Sequence, residues 1–195
     1  MRIELIRHGQ TALQAERRYQ GATDAPLSPE GKRMLRRAER CPDRVYVTPL
    51  LRTRQTAEIL FPEAEQTVIP DLREMNFGDF EGRNYIEMAH DPDYRAWVDG
   101  MCRGRCPGGE DYQEFSARVC DAFAALLDHN AARGEDSLVI VAHGGTQMAV
   151  MERFAAEKRD YWSWQLPCGQ GYLLETDWPA DRRLHVAGRV DYTEG

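Results

Sequence analysis

Residues 138–145 have the sequence LVIVAHGG, four apolar residues and an alanine that end on a histidine and two glycines. A continuous apolar run of this kind is typical of a strand buried on both faces of a parallel sheet. The same form occurs near the start of the chain, where residues 2–9 have the sequence RIELIRHG. Ligands bind beyond the carboxyl ends of the strands in an open parallel sheet. We therefore expect His8 and His143 to meet in one crevice.

The rest of the chain alternates short apolar strands with amphipathic helices, which predicts an α/β fold. Strands are predicted at residues 2–6, 44–47, 66–69, 138–141, 171–175 and 184–187, the last two as an antiparallel pair at a sheet edge. Helices are predicted at about residues 29–40, 49–61, 85–89, 94–98, 110–134 and 145–156, where Ser28 and Thr48 each act as an N-cap before a proline. This order predicts a single-domain three-layer α/β/α sandwich over residues 1–195 with a mostly parallel central sheet and a loop-rich insertion at about 70–110.

The composition indicates an ordinary globular protein of 195 residues, with 42% hydrophobic and 29% charged residues. Its net charge of −7 gives no long-range attraction to nucleic acid or anionic lipid. The longest apolar run, residues 122–127, is far shorter than a membrane span, and the first residues carry no secretory signal. We therefore expect a cytoplasmic protein with a small-molecule ligand and with no nucleic-acid or membrane partner.

The five cysteines are scattered and odd in number, which favours reduced thiols over a disulfide framework. The one close pair, Cys102 and Cys106, has no second Cys or His pair at metal-ligand spacing. The sequence therefore predicts no zinc site.

Arginines accompany both histidines. Arg7 precedes His8 directly, and Arg52 lies at the start of a predicted helix that follows the second strand. The guanidinium group is suited to forked recognition of phosphate oxygens, and glycine beside each histidine lets a ligand approach the backbone closely. The crevice is therefore predicted to bind an anion.

Six blocks in a fixed order carry a resemblance to a known family. They are LIRHGQT at 5–11, YQGATDAPLS at 19–28, TPLLRTRQTA at 48–57, LREMNFGDFEG at 72–82, PGGE at 107–110 and VAHGG at 141–145. Together they resemble the histidine phosphatase, or phosphoglycerate mutase-like, superfamily. One such block is a weak signal, whereas the ordered set is specific.

The resemblance implies a reaction in two halves through a phosphohistidine, without a metal or cofactor. His8 is then the nucleophile, and Arg7, Arg52 and His143 hold the phosphoryl oxygens as charge spreads over them. His8 must be neutral to attack, which neighbouring cations favour, whereas His143 is expected to be charged and held so by a nearby carboxylate.

Glu74 matches the family's proton donor, which protonates the leaving oxygen and then deprotonates water. The negative charge of a bound phosphate is expected to raise its pKa. Asp79 and Glu81 lie in the same loop as alternative acids.

The expected phosphate or substrate contacts are Gln14, Gln20, Gly21 and Gly144. Gln14 departs from the family pattern, which often has asparagine there, so its contact is expected to be differently placed. Among residues farther from the phosphoryl group, Arg17, Arg18, Arg103 and Arg105 are candidates for a second anionic group of the substrate, with solvated loop arginines as the alternative. Trp162 and Trp164 are candidates for stacking on an aromatic leaving group, with a core position as the alternative.

The resemblance leaves more than one function open. Glu74 and His143 are only 69 positions apart, and the chain ends without a long tail, both of which favour a phosphatase. The blocks are similar to the branch that contains α-ribazole phosphatase, which acts in cobalamin biosynthesis, and they also occur in broad-specificity phosphatases. The alternatives are a phosphoglycerate mutase, a metal-dependent hydrolase, and a non-catalytic relative that binds phosphoryl ligands.

Overall fold

A six-stranded sheet forms the centre of the fold in the computed structural model, which describes residues 1–194. The strands are β1 (Arg2–Arg7), β2 (Arg44–Val47), β3 (Glu65–Val68), β4 (Ser137–Ala142), β5 (Gln170–Glu175) and β6 (His185–Asp191). Their order is β3-β2-β4-β1-β5-β6. The first four are parallel to one another, β5 is antiparallel to β1, and β6 is antiparallel to β5 at the edge. The mostly parallel sheet and its antiparallel edge pair are as the sequence predicts.

Side-chain alternation along the central strands separates two hydrophobic clusters, one on each face of the sheet. Leu138 and Ile140 belong to one cluster, whereas Val139 and Val141 belong to the other. The helices are α1 (Ala12–Ala15), α2 (Pro29–Met34), α3 (Leu51–Leu60), α4 (Pro92–Asp99), α5 (Tyr112–Ala132) and α6 (Gly144–Phe154). Residues of α4, α5 and α6 pack into the first cluster, and residues of α3 pack into the second. The three-layer α/β/α architecture is therefore confirmed.

The predicted helix over residues 29–40 is too long, because α2 ends at Met34. Leu35 is extended and forms a bridge with Thr193, and the amide of Arg36 donates to the carbonyl oxygen of Tyr192. The chain leaves the helix here because residues 35 and 36 pair with the distant C-terminal segment.

Two further local predictions are wrong. Thr48 does not cap α3: the helix begins at Leu51 after Leu50, which makes no side-chain cap bond, and the Thr48 hydroxyl is engaged by His143. Residues 85–89 form turns rather than a helix, since the side chain of Asn84 accepts from the amides of residues 86 and 87.

The sheet brings the two His-Gly pairs to the same edge. Strands β1 and β4 are adjacent and parallel, with Arg7 opposite Ala142 in register. The next residue on each strand is a histidine, and the amide of His8 donates to the carbonyl oxygen of Ala142 at 3.0 Å. Among residues 1–194, no helix is both long enough and apolar enough to cross a bilayer.

Candidate active site

The structure brings His8 and His143 together as expected. Their ring centroids lie 5.2 Å apart with the rings at 68° to each other. His8 is 2% exposed and His143 is fully buried. Two imidazoles held edge to face beneath the surface form the centre of the site.

The tautomer of His8 is fixed by the backbone. Its Nδ1 lies 2.7 Å from the carbonyl oxygen of Gly9, which can only accept, so the neutral ring carries its proton on Nδ1. Burial, and then the charges of Arg52 and Arg7, hold the pKa of His8 well below its ordinary value. His8 is therefore a neutral imidazole whose Nε2 retains its lone pair.

His143 is neutral too, which corrects the expectation of a charged ring held by a carboxylate. Its Nε2 lies 2.9 Å from the hydroxyl of Thr48, and its Nδ1 accepts from Nε of Arg52 at 3.3 Å. Burial first, then the charges of Arg52 and of the other cations nearby, lower the pKa of His143 well below its ordinary value. An arginine donor and a threonine hydroxyl stand where a carboxylate was expected.

Arg52 is fully buried, and backbone carbonyl groups fix its direction. Its Nη2 donates to the carbonyl oxygen of Gly21 at 2.7 Å and its Nη1 to that of Thr23 at 2.9 Å. No carboxylate among residues 1–194 forms an ion pair with it, and burial lowers its pKa below the ordinary value of 12.5. Its charge is therefore not neutralised by an ion pair within the described chain.

Arg7 reaches the site from the end of β1. Its Nη1 donates to the carbonyl oxygen of Leu166 at 2.6 Å, whereas its Nε is buried without a partner among residues 1–194. A Cβ on Gly144 would lie 3.2 Å from this guanidinium group, so Gly144 is the residue that lets Arg7 approach α6. Buried donors in proteins are almost always paired, and an anion bound beside Arg7 would supply an acceptor for this Nε.

Glu74 is the carboxylate nearest this cluster. One of its oxygens accepts from the amide of Gly145 at 2.9 Å and the other from the amide of Met75 at 3.0 Å. Burial raises its pKa from the ordinary value of 4.5, against the opposing effect of these amides and of the arginines. The raised pKa expected from a bound phosphate is thus already produced by burial alone.

The other two acids of the loop are placed differently. Glu81 accepts hydrogen bonds from several backbone amides, and Asp79 is exposed near Gly108. Neither lines the central cavity, whereas Glu74 does. Of the three candidate acids, Glu74 alone is placed to exchange a proton with a ligand there.

The cavity next to the histidines has a volume of about 380 Å³. Arg7, Gln14, Gln20, Glu74 and Gly144 line it, while His8, Arg52, His143 and Gly21 lie outside its lining. Its wall is otherwise rich in aromatic side chains, namely Tyr19, Phe77, Tyr85, Trp97, Tyr112, Phe115, Tyr161 and Trp162. The cavity therefore has charged groups set beside a largely aromatic wall.

The glutamines and Gly21 have distinct environments. The side-chain oxygen of Gln20 accepts from the Thr11 hydroxyl at 2.5 Å, and its Nε2 is buried without a partner among residues 1–194. The side-chain oxygen of Gln14 accepts from the amide of Thr11 in a capping box for α1. The amide of Gly21 donates to Glu81, so Gly21 meets the site through its carbonyl oxygen on Arg52. Gln20 thus offers a free donor to a ligand.

The four arginines that are candidates for a second anionic group of the substrate lie in two kinds of environment. Arg17, Arg18 and Arg103 line the cavity, whereas Arg105 pairs with Asp111 and Glu114 away from it. Arg18 pairs with Glu16 and Glu87, and Arg103 pairs with Glu152 and lies 4.3 Å from the ring centre of Tyr112. Arg17 makes no ion pair with any of residues 1–194 and has a positive φ of 56°.

The two tryptophans also differ. Trp162 is 41% exposed and lines the cavity, while Trp164 is fully buried in the core. Trp162 therefore remains a candidate for stacking on a ligand, and Trp164 takes the core position.

Two residues of the site were not predicted from the sequence. Thr48 has the form of a helix cap, yet its hydroxyl orients His143, and the amide of Gly145 orients Glu74. Gly145 follows the second His-Gly pair directly, which was the available signal, whereas the sequence carries no signal for Thr48. In the part of the chain that the structure describes, no three His, Cys, Asp or Glu side chains come together as a metal site.

The fold and this cluster define a class of α/β proteins that hold a neutral histidine between two arginines at the carboxyl ends of adjacent parallel strands. The model of the histidine phosphatase superfamily (branch 1) matches residues 3–186. The chain belongs to this superfamily.

Relatives within the superfamily carry two kinds of name. A probable phosphoglycerate mutase, GpmB, of Escherichia coli O1:K1 is 35% identical over 153 residues, which are 74% of this chain and 70% of the relative. The crystal structure of the alpha-ribazole phosphatase from Shigella flexneri is similar with a TM-score of 0.80 and 25% identity, covering 95% of this chain and 94% of that one. The crystal structure of phosphoglycerate mutase from Thermus thermophilus is similar with a TM-score of 0.67 and 30% identity, covering 94% and 96%.

Proposed function

We propose that this protein is a phosphomonoesterase that works through a phosphohistidine on His8 and needs no metal. The observation that carries the proposal is the fixed tautomer of His8, whose Nδ1 faces the carbonyl of Gly9 while the charges of Arg52 and Arg7 act on the ring. A neutral imidazole with a free Nε2 lone pair is the form that attacks phosphorus. The unpartnered donors of Arg7 and Gln20 in the described chain are the groups that phosphoryl oxygens would satisfy.

In the first half-reaction, Nε2 of His8 forms a bond to phosphorus as the bond from phosphorus to the ester oxygen breaks. The electron pair of that bond stays on the leaving oxygen, which takes the proton of Glu74. Arg7 and Arg52 hold the charge on the remaining phosphoryl oxygens, which is the main catalytic contribution in a loose transition state. His143 accepts a hydrogen bond from Nε of Arg52 and so keeps that guanidinium group in position.

In the second half-reaction, water attacks phosphorus and the nitrogen–phosphorus bond breaks. Glu74, now a carboxylate, takes a proton from the water, and inorganic phosphate leaves. Its raised pKa suits both roles, because a general acid and base works best when its pKa is near the working pH.

The cavity favours a phosphatase with a bulky leaving group. Arg18 and Arg103, which line it beyond the phosphoryl end, are neutralised by glutamates. Arg17 also lines it and makes no ion pair with any of residues 1–194, so one positive charge is left to meet the leaving group. The aromatic wall suits an aromatic leaving group such as the benzimidazole riboside of α-ribazole phosphate. We therefore propose α-ribazole phosphate as the leading substrate.

Phosphoglycerate mutase is the second candidate, because GpmB is 35% identical to this chain. A mutase returns the phosphoryl group to a hydroxyl of the bound substrate, whereas a phosphatase gives it to water. Conversion of 3-phosphoglycerate into 2-phosphoglycerate without phosphate release would favour the mutase.

We also propose that residues 1–195 form one domain, with residues 70–110 as its loop-rich insertion, and that the protein is cytoplasmic. All five cysteines are free thiols in the structure, in keeping with a reducing compartment.

The test measures the release of inorganic phosphate from a panel of phosphomonoester substrates in the presence of a chelator. The panel contains p-nitrophenyl phosphate, α-ribazole phosphate, 3-phosphoglycerate and fructose bisphosphates. Wild type is compared with His8→Ala and with the matched control His185→Ala, which removes an exposed histidine of β6. We expect wild type and the control to be active with chelator and His8→Ala to be inactive.

Three results would contradict the proposal. Equal hydrolysis by wild type and His8→Ala would show that His8 is not the nucleophile. Loss of activity with chelator would indicate a metal hydrolase. Binding of phosphate without turnover of any substrate would indicate a non-catalytic relative.

A further inference from the structure

The carboxylate of Glu81 is surrounded by donors from two loops. Its Oε1 accepts from the amides of Ala22 at 2.8 Å and Phe77 at 3.0 Å, and its Oε2 accepts from the amide of Thr23 at 3.2 Å and the hydroxyl of Thr23 at 2.6 Å. The amide of Gly21 points at both oxygens, at 3.0 and 3.1 Å. Successive backbone amides turned toward one point make a nest for an anion, here filled by this carboxylate.

Residues 21–23, which Glu81 binds through their amides, also fix the orientation of the Arg52 side chain. The carbonyl oxygens of Gly21 and Thr23 accept from the two terminal nitrogens of its guanidinium group at 2.7 and 2.9 Å. The amide side of the loop thus binds Glu81 while its carbonyl side binds Arg52. A displacement of these two carbonyl groups would therefore remove the acceptors that orient the guanidinium group.

We propose that Glu81 is a positioning residue for the phosphoryl site, acting through residues 21–23 on Arg52. The inference rests on the proposed function, in which Arg52 holds phosphoryl oxygens. Glu81 does not line the cavity, so it is not placed to exchange a proton with a ligand there.

The chemistry of the contact requires a carboxylate rather than an amide. Both oxygens of Glu81 receive donors, and only a carboxylate presents acceptors on both branches. Glutamine would place an NH₂ group against donors on one branch, whichever way it turned. Glu81→Gln is therefore a small change in volume that breaks one half of the nest.

The contact also leaves little freedom for the loop to adjust. A Cβ on Gly21 would overlap the carbonyl oxygen of Met75, so the backbones of the two loops touch directly. Residues 21–23 are thus held by backbone packing on one side and by hydrogen bonds to Glu81 on the other. Held in this way, they keep Arg52 in one orientation.

The experiment separates positioning from a general loss of stability. Dissociation constants for inorganic phosphate are measured by calorimetry, with kcat and KM for p-nitrophenyl phosphate, for wild type, Glu81→Gln, Glu81→Asp, Arg52→Ala and the double variant Glu81→Gln/Arg52→Ala. Glu4→Gln is the matched control, because Glu4 is a buried carboxylate bound by Arg40 and Tyr192 outside the site.

We expect Glu81→Gln to weaken phosphate binding and kcat/KM on the order of 10- to 100-fold, the scale of a misplaced catalytic group. Glu81→Asp keeps two acceptor oxygens and is expected to lose less. In the background of Arg52→Ala, Glu81→Gln is expected to change phosphate binding by less than about twofold, since residues that act through one another are not additive. Glu4→Gln is expected to keep the wild-type values.

The proposal is overturned if Glu81→Gln binds phosphate as wild type does, or if its loss is equal with and without Arg52. Loss in Glu4→Gln of the same size would also overturn it, because the effect would then be one of stability. Should Glu81→Gln fail to fold, Thr23→Val removes only the hydroxyl bond and is measured in the same way. Failure of the proposed function is distinguishable, since it appears as full activity in His8→Ala whatever Glu81 does.

Discussion

The substitution Gly145→Ala tests whether Glu74 must sit where the structure has it. A Cβ at this position would lie 3.0 Å from Cδ of Glu74, closer still to Oε1, and 3.2 Å from Cζ of Phe115. The carboxyl group is the far end of a flexible side chain, so it moves in preference to the backbone. Alanine also favours a helix by about 1 kcal/mol over glycine, so α6 itself is not weakened.

The expected magnitude follows from the overlap. Carbon atoms in ordinary contact are about 3.5 to 4.0 Å apart, so the carboxyl group must retreat by roughly 0.5 to 1 Å and lose its bond from the amide of Gly145. A misplacement of about 1 Å costs on the order of 100-fold in rate, or about 2.7 kcal/mol of transition-state stabilisation. The loss should fall on steps that need proton transfer.

The assay is single-turnover formation of the phosphohistidine from two substrates. An alkyl phosphate needs protonation of its leaving oxygen and is expected to react about 100-fold more slowly, whereas the burst from p-nitrophenyl phosphate, whose leaving group is good, should stay within about threefold of wild type. Gly188→Ala is the control, because nothing lies within 4 Å of a Cβ there. Equal slowing of both substrates, or wild-type rates on both, would refute the assignment of Glu74.

The other predictions concern pH, phosphate affinity and stability. Hydrolysis of an alkyl phosphate should persist below pH 6.5, because burial and the arginines lower the pKa of His8 and keep it neutral there, and it should fall at higher pH as Glu74, whose pKa is raised, loses its proton. A pH profile of kcat/KM checks this. Glu74→Gln should abolish the decrease of kcat/KM at high pH, and if the decrease remained in this variant it would belong to another group. Gln20→Met keeps the side-chain volume but removes both the buried free donor and the acceptor of the Thr11 hydroxyl. It should weaken inhibition by inorganic phosphate about tenfold, and an unchanged inhibition constant would exclude Gln20 from the site. Gly21→Ala should destabilise the fold by about 3 kcal/mol in urea unfolding, since the added carbon overlaps the rigid backbone of Met75, and wild-type stability would mean that the loops separate easily.

Much of the site could be predicted because several of its residues come immediately after the carboxyl ends of strands. His8 and His143 come one residue after the in-register pair of Arg7 and Ala142, so the periodicity of two buried strands is enough to bring them together. The helical spacing of apolar residues was equally sufficient for α5, which was predicted at about residues 110–134 and spans Tyr112–Ala132.

The errors occur where a distant segment competes with a local preference. The helix after Ser28 stops at Met34 because residues 35 and 36 pair with the C-terminal segment. Thr48 has the form of a helix cap, but its hydroxyl binds a histidine 95 positions away. Neither partner is visible in a local window of sequence.

The sequence by itself determined the fold class and the expected crevice, because strand periodicity, glycine and charge act through neighbouring positions. His8 as the candidate nucleophile came from the ordered family motifs in that sequence. Only the tertiary structure decided the protonation of His143, the placement of Glu74 rather than Glu81 in the cavity wall, and the direction of Arg52. Each of these depends on burial and on hydrogen bonds between segments far apart in the chain. Desolvation and backbone donors shift pKa values and fix side chains only after the chain has closed around them.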